Sequence, residues 1–313
     1  MHVGVIGVGN MGSGIAMNLI DKGHTVTVRD IRPEAEQRVA AHGARMAPNP
    51  KALADAVDIV ILVVVNAAQI ESVLFGADGV FSGTGAGAAT RRPNAAAVMI
   101  CSTIAPEDTE RFAKGVESFG AALLDAPISG GPARARAGTM SVMLAAAEDA
   151  RARFDALLHD MAAHVLLVSK RVGDGARVKL LNNLLGGIQL VAGAAALAAG
   201  ERMGLSGETL FKVISASSGQ SWVTDDRLPR ALAGDFEPRA HAHILTKDVT
   251  LALEMLKSAG ESFPLGEIAL QTFQAALDAG WRDRDDCVVL EVARGKVGVP
   301  TADSRRGMPS LNS

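Results

Sequence analysis

The chain predicts an α/β protein: a doubly wound parallel sheet followed by an all-helical second domain. Three observations carry this reading. Over the first part of the 313 residues, short β-branched runs alternate with helix-forming stretches, the pattern of strands joined by crossover helices. A glycine-rich turn links the first such run to the first helix. From Gly175 onward the β signal vanishes while helix formers continue. The composition shift places the expected domains at residues 1–172 and 173–294, with a polar, aperiodic and disordered tail over 295–313.

The elements follow in order. "HVGVIG" reads as the first strand and "NMGSGIAMNLIDKG" as the first helix, stopped at Gly23. "HTVTVRD" is the second strand, and the helix in "RPEAEQRVAAHG" again ends at a glycine. "DIVILVVV" is the third strand; its unbroken apolar run suits a strand buried on both faces. "AAVMICS", "AALLDAPIS" and "MSVMLAA" supply later strands. The Gly/Ala-rich segment from Gly79 to Ala95 reads as a surface loop. In the helical half, breaks are expected at Gly204, "SASSGQS", Gly234–Asp235, around Pro264 and at Gly280. There is no internal repeat.

Composition excludes several functions. A net charge of −3, with small basic clusters such as Arg134 with Arg136 and Arg305 with Arg306, gives no footprint for a nucleic-acid partner. Two cysteines make neither a disulfide framework nor a zinc site, and a cytoplasmic home is expected. No basic n-region opens a signal peptide. "VDIVILVVV" is too short to span a bilayer. "LLGGIQLVAGAAALAAG" is longer, but its Ala and Gly content and Gln189 favour a buried helix, so no membrane partner is expected. His241 and His243 stand two apart with no carboxylate cluster beside them, and no metal is expected. Met11, Met140 and Met143 read as packing residues.

"VIGVGNMGSG" carries Gly7, Gly9 and Gly12 in G-x-G-x-x-G spacing, directly after a strand and opening a helix. Gly7 permits the tight turn, Gly9 lets the backbone approach a pyrophosphate, and Gly12 lets helix and sheet pack closely. The free N–H groups of the helix N-terminus then face the phosphates. This pattern predicts the Rossmann arrangement for a dinucleotide, with a glycine-rich turn that binds nothing as the plain alternative. Asp30 ends the second strand at the separation expected for a ribose-binding carboxylate, which favours NAD. Arg29 and Arg32 flank it and keep NADP possible.

"VGDGARVKLLNNLLGG" places Lys179 and two asparagines in an otherwise apolar helical run, where an ionisable group is costly to bury. Asn183, at i+4, shares its helix face; Asn182 points elsewhere and is expected to tie helix to backbone. On spacing alone Lys179 can equally be a side chain that snorkels to water. Ser129, Gly130 and Gly131 follow a strand end and offer backbone N–H groups to a carboxylate, or form a plain turn.

These motifs together resemble the β-hydroxyacid dehydrogenases, the family of 3-hydroxyisobutyrate dehydrogenase and tartronate semialdehyde reductase, from about residue 2 to 294. Four stretches carry the resemblance in the family's order: "GVIGVGNMGSGIAMNL", "DAPISGGPARARAGTMSVM", "GDGARVKLLNN" and "LTKDVTLAL". The second and "VVVNAAQIESVLFGADG" are most similar to the threonate dehydrogenase-like branch. Val65 and Asn66 stand where most members have Leu-Pro, and the loop before "AAVMICSTIAP" is longer than usual.

The resemblance implies an NAD(P)-dependent dehydrogenase of a small β-hydroxy acid. Lys179 would be the general acid/base and Asn183 a catalytic hydrogen-bonding partner of the substrate. Substrate binding would fall to Ser129, Gly130 and Gly131 with Lys179 and Asn183. Cofactor contacts would come from Gly7, Gly9, Asn10, Met11, Gly12, Asp30, Val65, Asn66, Thr103 and Lys247. Thr103 has an N-cap or ST-turn role before Pro106 as its plain alternative, and Asp248 is expected to pair with Lys247 or to cap a helix. Trp222 and Arg227 are candidates for the substrate end of the pocket, against a core role for the tryptophan. A dinucleotide-binding scaffold and an imine reductase on the same fold are the alternatives; such relatives have lost or lack the lysine. The long apolar helix over 176–203 implies a homodimer or homotetramer.

Overall fold

The computed structural model describes residues 1–82 and 95–297, so most of the Gly79–Ala95 loop and the tail from 298 lie outside the described residues. The chain divides into two compact units, Met1–Leu180 and a second from Leu181. The first contains β1 (His2–Ile6), α1 (Asn10–Asp21), β2 (Thr25–Arg29), α2 (Pro33–Ala40), β3 (Arg45–Met46), α3 (Pro50–Ala54), β4 (Ile59–Leu62) and α4 (Ala67–Phe75). Then come β5 (Ala97–Ile100), α5 (Pro106–Ser118), β6 (Ala122–Asp125), β7 (Ile128–Ser129), α6 (Gly131–Arg136), β8 (Met140–Ala145), α7 (Glu148–Met161) and β9 (Ala162–Ser169).

The strands form one sheet in the order β3-β2-β1-β4-β5-β6-β8-β7, with β9 also paired to β8. Chain direction across the sheet reverses between β1 and β4, so the crevice at their carboxyl ends is the natural ligand position of such a fold. Period-two alternation builds the core. Ile59 and Ile61 join Val3, Val5, Leu19 and Phe154 on one face, while Val60 and Leu62 join Leu53, Ile70, Leu74 and Phe112 on the other. Each fully buried aliphatic side chain contributes about 1.5–3 kcal/mol. This is why a nearly unbroken apolar run at "DIVILVVV" marks an inner strand.

The sheet is parallel from β3 to β6, but β8 runs antiparallel to both β6 and β7. The expected wholly parallel sheet is therefore mixed at one end. Only α6 and two short links separate β7 from β8, fewer than the dozen or so residues a parallel crossover needs. "AALLDAPIS" is split into β6 and β7 because Pro127 has no N–H for the ladder; its carbonyl still accepts from Met143 N at 2.9 Å. β9 was not expected from the sequence. It lies at the edge, with Leu166 and Leu167 half exposed, so its burial does not alternate cleanly.

The helix α8 (Asp174–Arg202) starts in the first unit and continues into the second. The second unit adds α9 (Gly207–Ser215), α10 (Trp222–Leu232), α11 (Ala242–Ser258), α12 (Pro264–Asp278), a 3-10 turn (Asp286–Val288) and α13 (Val289–Ala293). The breaks expected at Gly204, Gly234 and Gly280 fall at left-handed glycines. Ala242, Ala275, Ala276, Val288 and Val292 form an apolar cluster, flanked by Phe236 and Trp281. Two buried ion pairs accompany it: Arg230 Nη2 with Asp285 Oδ1 at 3.0 Å, and Arg227 Nε with Asp286 Oδ1 at 2.8 Å. Burial alone would push the Asp285 carboxyl up; the Arg230 guanidinium and the N–H groups of Arg239 and Ala240 overcome this and hold it at about 2. Arg227 is thus engaged in tying α10 to the 3-10 turn. Trp222 is 53% exposed, which removes the core reading for it.

By length and composition α8 is long and apolar enough to cross a membrane, and 33% of its most apolar window is buried inside the chain. The expected buried helix is therefore only partly buried. Val178, Leu181 and Leu185 remain exposed along it.

Candidate active site

The glycine turn at the end of β1 is built as its spacing requires. Gly7 has φ +89°, and a Cβ there would stand 2.4 Å from the Val63 carbonyl oxygen. A Cβ on Gly12 would stand 1.9 Å from the Gly7 carbonyl oxygen. A Cβ on Gly9 would meet only the Arg32 guanidinium, at 3.2 Å, so the protein leaves the space above this residue open for a phosphate. Asn10, Met11 and Gly12 form the first turn of α1, whose N–H groups point out of the helix end. The open space, the outward N–H groups and a neighbouring cation fit a pyrophosphate.

Asp30 lies where the spacing puts it, and it has a second task. Its Oδ2 accepts from Val8 N at 2.8 Å and its Oδ1 from Arg32 N at 2.9 Å, while Glu36 Oε1 accepts from Asp30 N at 2.9 Å. The carboxylate, 7% exposed, therefore holds the glycine turn in shape. Arg32 approaches it only at 3.4 Å and is largely exposed.

The end of β4 borders the same turn. Val64 N donates to Ser102 Oγ at 2.9 Å, which ties the β4 loop to the end of β5 next to Thr103. Val65 is 45% exposed, and its N–H donates to Gln69 Oε1 at 2.8 Å. Asn66 caps α4, its Oδ1 accepting from Gln69 N at 2.9 Å. Thr103 is not the cap of α5: that position is Ala105, with no side-chain bond.

Gly130 and Gly131 have φ of +134° and +76°, conformations that L side chains rarely adopt, so the Ser-Gly-Gly sequence is demanded by the backbone. The α6 helix that follows packs tightly on α1: a Cβ on Gly14 would lie 2.9 Å from Arg136 N. The candidate carboxylate-binding turn is thus docked directly against the candidate phosphate-binding helix.

The start of α8 is anchored by Asp125, a residue to which sequence reasoning gave no role. Its Oδ2 accepts from Gly173 N at 2.8 Å and Ala176 N at 3.2 Å. Burial pushes its carboxyl up to about 6 against the pull of these N–H groups. Gly175 has no room for a Cβ, which would lie 2.7 Å from the Met143 carbonyl oxygen. The G-x-G of "GDGARVKLLNN" thus threads α8 over the end of β6 and sets Lys179 one turn beyond the anchor. Lys179 is 7% exposed. Burial to this degree disfavours the snorkelling alternative.

In the second unit, Asn183 Nδ2 donates to Asp248 Oδ2 at 2.7 Å, and Lys247 Nζ lies 2.8 Å from Asp248 Oδ1. Asp248 is buried in α11 and caps nothing. Because a carboxylate only accepts, it fixes the Asn183 amide with its NH2 toward Asp248. Asn182, expected to tie helix to backbone, instead donates to Asn183 Oδ1 at 3.2 Å.

A reversing parallel sheet with this turn at its switch point, and a buried lysine at the start of α8 in the same unit, define a dinucleotide-binding protein with a candidate acid/base. Residues 2–169 match the model of the NAD binding domain of 6-phosphogluconate dehydrogenase. Residues 173–293 match that of the NAD-binding domain of NADP-dependent 3-hydroxyisobutyrate dehydrogenase. L-threonate dehydrogenase of Cupriavidus necator is 36% identical over 94% of this chain and 96% of its own. 3-Hydroxyisobutyrate dehydrogenase of Pseudomonas aeruginosa is 32% identical over 94% and 99%. The crystal structure of 3-hydroxyisobutyrate dehydrogenase from Salmonella typhimurium superposes with a TM-score of 0.84 at 33% identity, covering 93% of this chain and 99% of that one. The chain belongs to the β-hydroxyacid dehydrogenase family, in its threonate dehydrogenase-like branch, and is an NAD(P)-dependent hydroxyacid dehydrogenase.

Proposed function

We propose that this chain oxidises a small β-hydroxy acid, of the threonate or 3-hydroxyisobutyrate kind, with Lys179 as general acid/base. The observation that carries the reading is a buried lysine in α8, one helical turn before an asparagine whose amide is held by Asp248. An amine can take the hydroxyl proton as hydride leaves the carbinol carbon, and return it as an ammonium in the reverse direction. Asn183, neutral, hydrogen-bonds the substrate without competing for that proton. Ser129, Gly130 and Gly131 hold the carboxylate through main-chain N–H groups. Bound NAD(P) supplies the hydride acceptor.

Gly7, Gly9, Asn10, Met11 and Gly12 cradle the pyrophosphate, Asp30 faces the adenosine ribose, and Val65, Asn66, Thr103 and Lys247 are the remaining cofactor-contact residues of this reading. The Asp30 carboxylate disfavours a second negative charge at the ribose, which supports NAD over NADP. Residues 1–172 serve the dinucleotide and 173–294 the substrate and oligomer contacts. Exposed Val178, Leu181 and Leu185 on α8 support a homodimer or homotetramer. Two buried, unpaired cysteines accord with a cytoplasmic protein.

Lys179→Ala decides the matter. Turnover across a panel of hydroxy acids, followed by NADH absorbance, is expected to fall at least about a thousandfold, in line with loss of an acid/base group. Dinucleotide affinity, read by fluorescence titration, is expected to stay within about twofold. A variant that keeps near-normal kcat overturns the assignment.

A further inference from the structure

One group of three metal-capable donors occurs among the described residues: His241, His243 and Asp283. His241 caps the start of α11, His243 sits in its first turn, and Asp283 lies in the segment that follows α12. The sequence places the histidines two apart and supplies no third ligand nearby. The fold supplies it. An antiparallel bridge pairs His241 with Asp285, and the two segments are zipped by Ala242 N to Arg284 O at 2.8 Å and Asp286 N to Ala240 O at 2.8 Å.

The two imidazoles are oriented by main-chain carbonyls. His241 Nδ1 lies 3.1 Å from the carbonyl oxygen of Asp283, and His243 Nδ1 lies 3.0 Å from that of Arg282. The ring centroids are 5.2 Å apart. One nitrogen of each ring and a carboxylate oxygen of Asp283 all fall within 4.8 Å of one another, with His243 Nδ1 and Asp283 Oδ1 at 3.6 Å.

We propose that His241, His243 and Asp283 bind a divalent transition-metal ion of the zinc, cobalt or nickel kind. Two imidazoles and one carboxylate are the donors such ions take, whereas magnesium and calcium call for oxygen alone. Three protein ligands leave the remaining positions to water. Bonds of about 2.0–2.2 Å require the donors to draw in by roughly an ångström. The Asp283 side chain, 81% exposed, is free to make that movement. The carbonyls fix the ring orientations, and an ion taken at His243 Nδ1 displaces the bond from that nitrogen to the Arg282 carbonyl. Two charges oppose the ion: the positive end of α11 and Arg282. The Arg284 guanidinium is drawn aside, 5.6 Å from the centre of the Trp281 ring and 6.0 Å from that of Phe236. These oppositions set the affinity at a micromolar rather than a nanomolar level. A bound ion would clamp the segment after α12 to the helix that carries Lys247 one turn further on.

The test uses the full chain, without a histidine tag and stripped of metal by chelator, titrated calorimetrically with ZnCl2 and separately with CoCl2. One ion per chain is expected, with Kd on the order of 10 μM and a rise in Tm of a few degrees at about 100 μM metal. Asp283→Ala, at an exposed position that folding does not need, is expected to weaken binding about tenfold, and His243→Ala about a hundredfold. Binding of less than about half an ion per chain at about 100 μM metal, or variants that bind as tightly as the parent, overturns the proposal.

Discussion

Asp125 carries the most quantitative prediction. Its carboxylate takes the N–H groups of Gly173 and Ala176 in a site where it is 1% exposed, and its carboxyl titrates at about 6 instead of 3.8. A group whose folded-state value is raised holds its proton more tightly in the native chain. It therefore adds stability at low pH and loses it as pH rises from the unfolded value through the folded one. The full cost of ionisation is 6 − 3.8 = 2.2 pH units, or about 3 kcal/mol at roughly 1.4 kcal/mol per unit. Part of it is already incurred at pH 5; between pH 5 and 7.5 the two-state linkage expression leaves about 1.4 kcal/mol. Asp125→Asn keeps the shape and an acceptor oxygen but cannot ionise. Its urea-unfolding free energy, measured beside the parent's, is expected to gain about 1.4 kcal/mol on the parent over that pH span. Parallel curves, or a parent that gains on the variant as pH rises, would refute the view that burial dominates this carboxylate.

Three further outcomes follow from single contacts. Gly12→Ala forces a methyl to within 1.9 Å of the Gly7 carbonyl oxygen, so dinucleotide affinity is expected to drop more than about tenfold in a fluorescence titration. Ser102→Ala strips Val64 N of its acceptor, and Tm is expected to fall with a loss of about 1–2 kcal/mol. Arg230→Ala leaves Asp285 buried without its countercharge, and denaturant unfolding is expected to show a loss of about 3–5 kcal/mol.

What could be read from residues alone was whatever depends on neighbours in sequence. The inner strands were legible because burial on both faces demands an apolar run, as at Ile59–Leu62. The glycine turn was legible because Gly7 and Gly12 leave no room for a side chain. Lys179 stood out because few ionisable groups are worth burying. Partners distant along the chain were not legible. The grip of Asp125 on Gly173 spans 48 residues, and that of Asp30 on Val8 spans 22; neither leaves a local pattern. The two-residue β3 and β7 are too short to show periodicity, and the edge strand β9 exposes the leucines that would have marked it.

The clasp made by Asp30 bears on how coenzyme choice could be redesigned. Val8, Arg32 and, through Glu36, the Asp30 amide itself are all secured before any guest arrives, so the pocket for adenosine is preorganised by folding. A protein engineer who swapped this acid for a neutral residue to welcome an extra phosphate would unfasten the loop along with the charge. The Arg32 side chain, which stands over Gly9 and is held only loosely, is the safer handle.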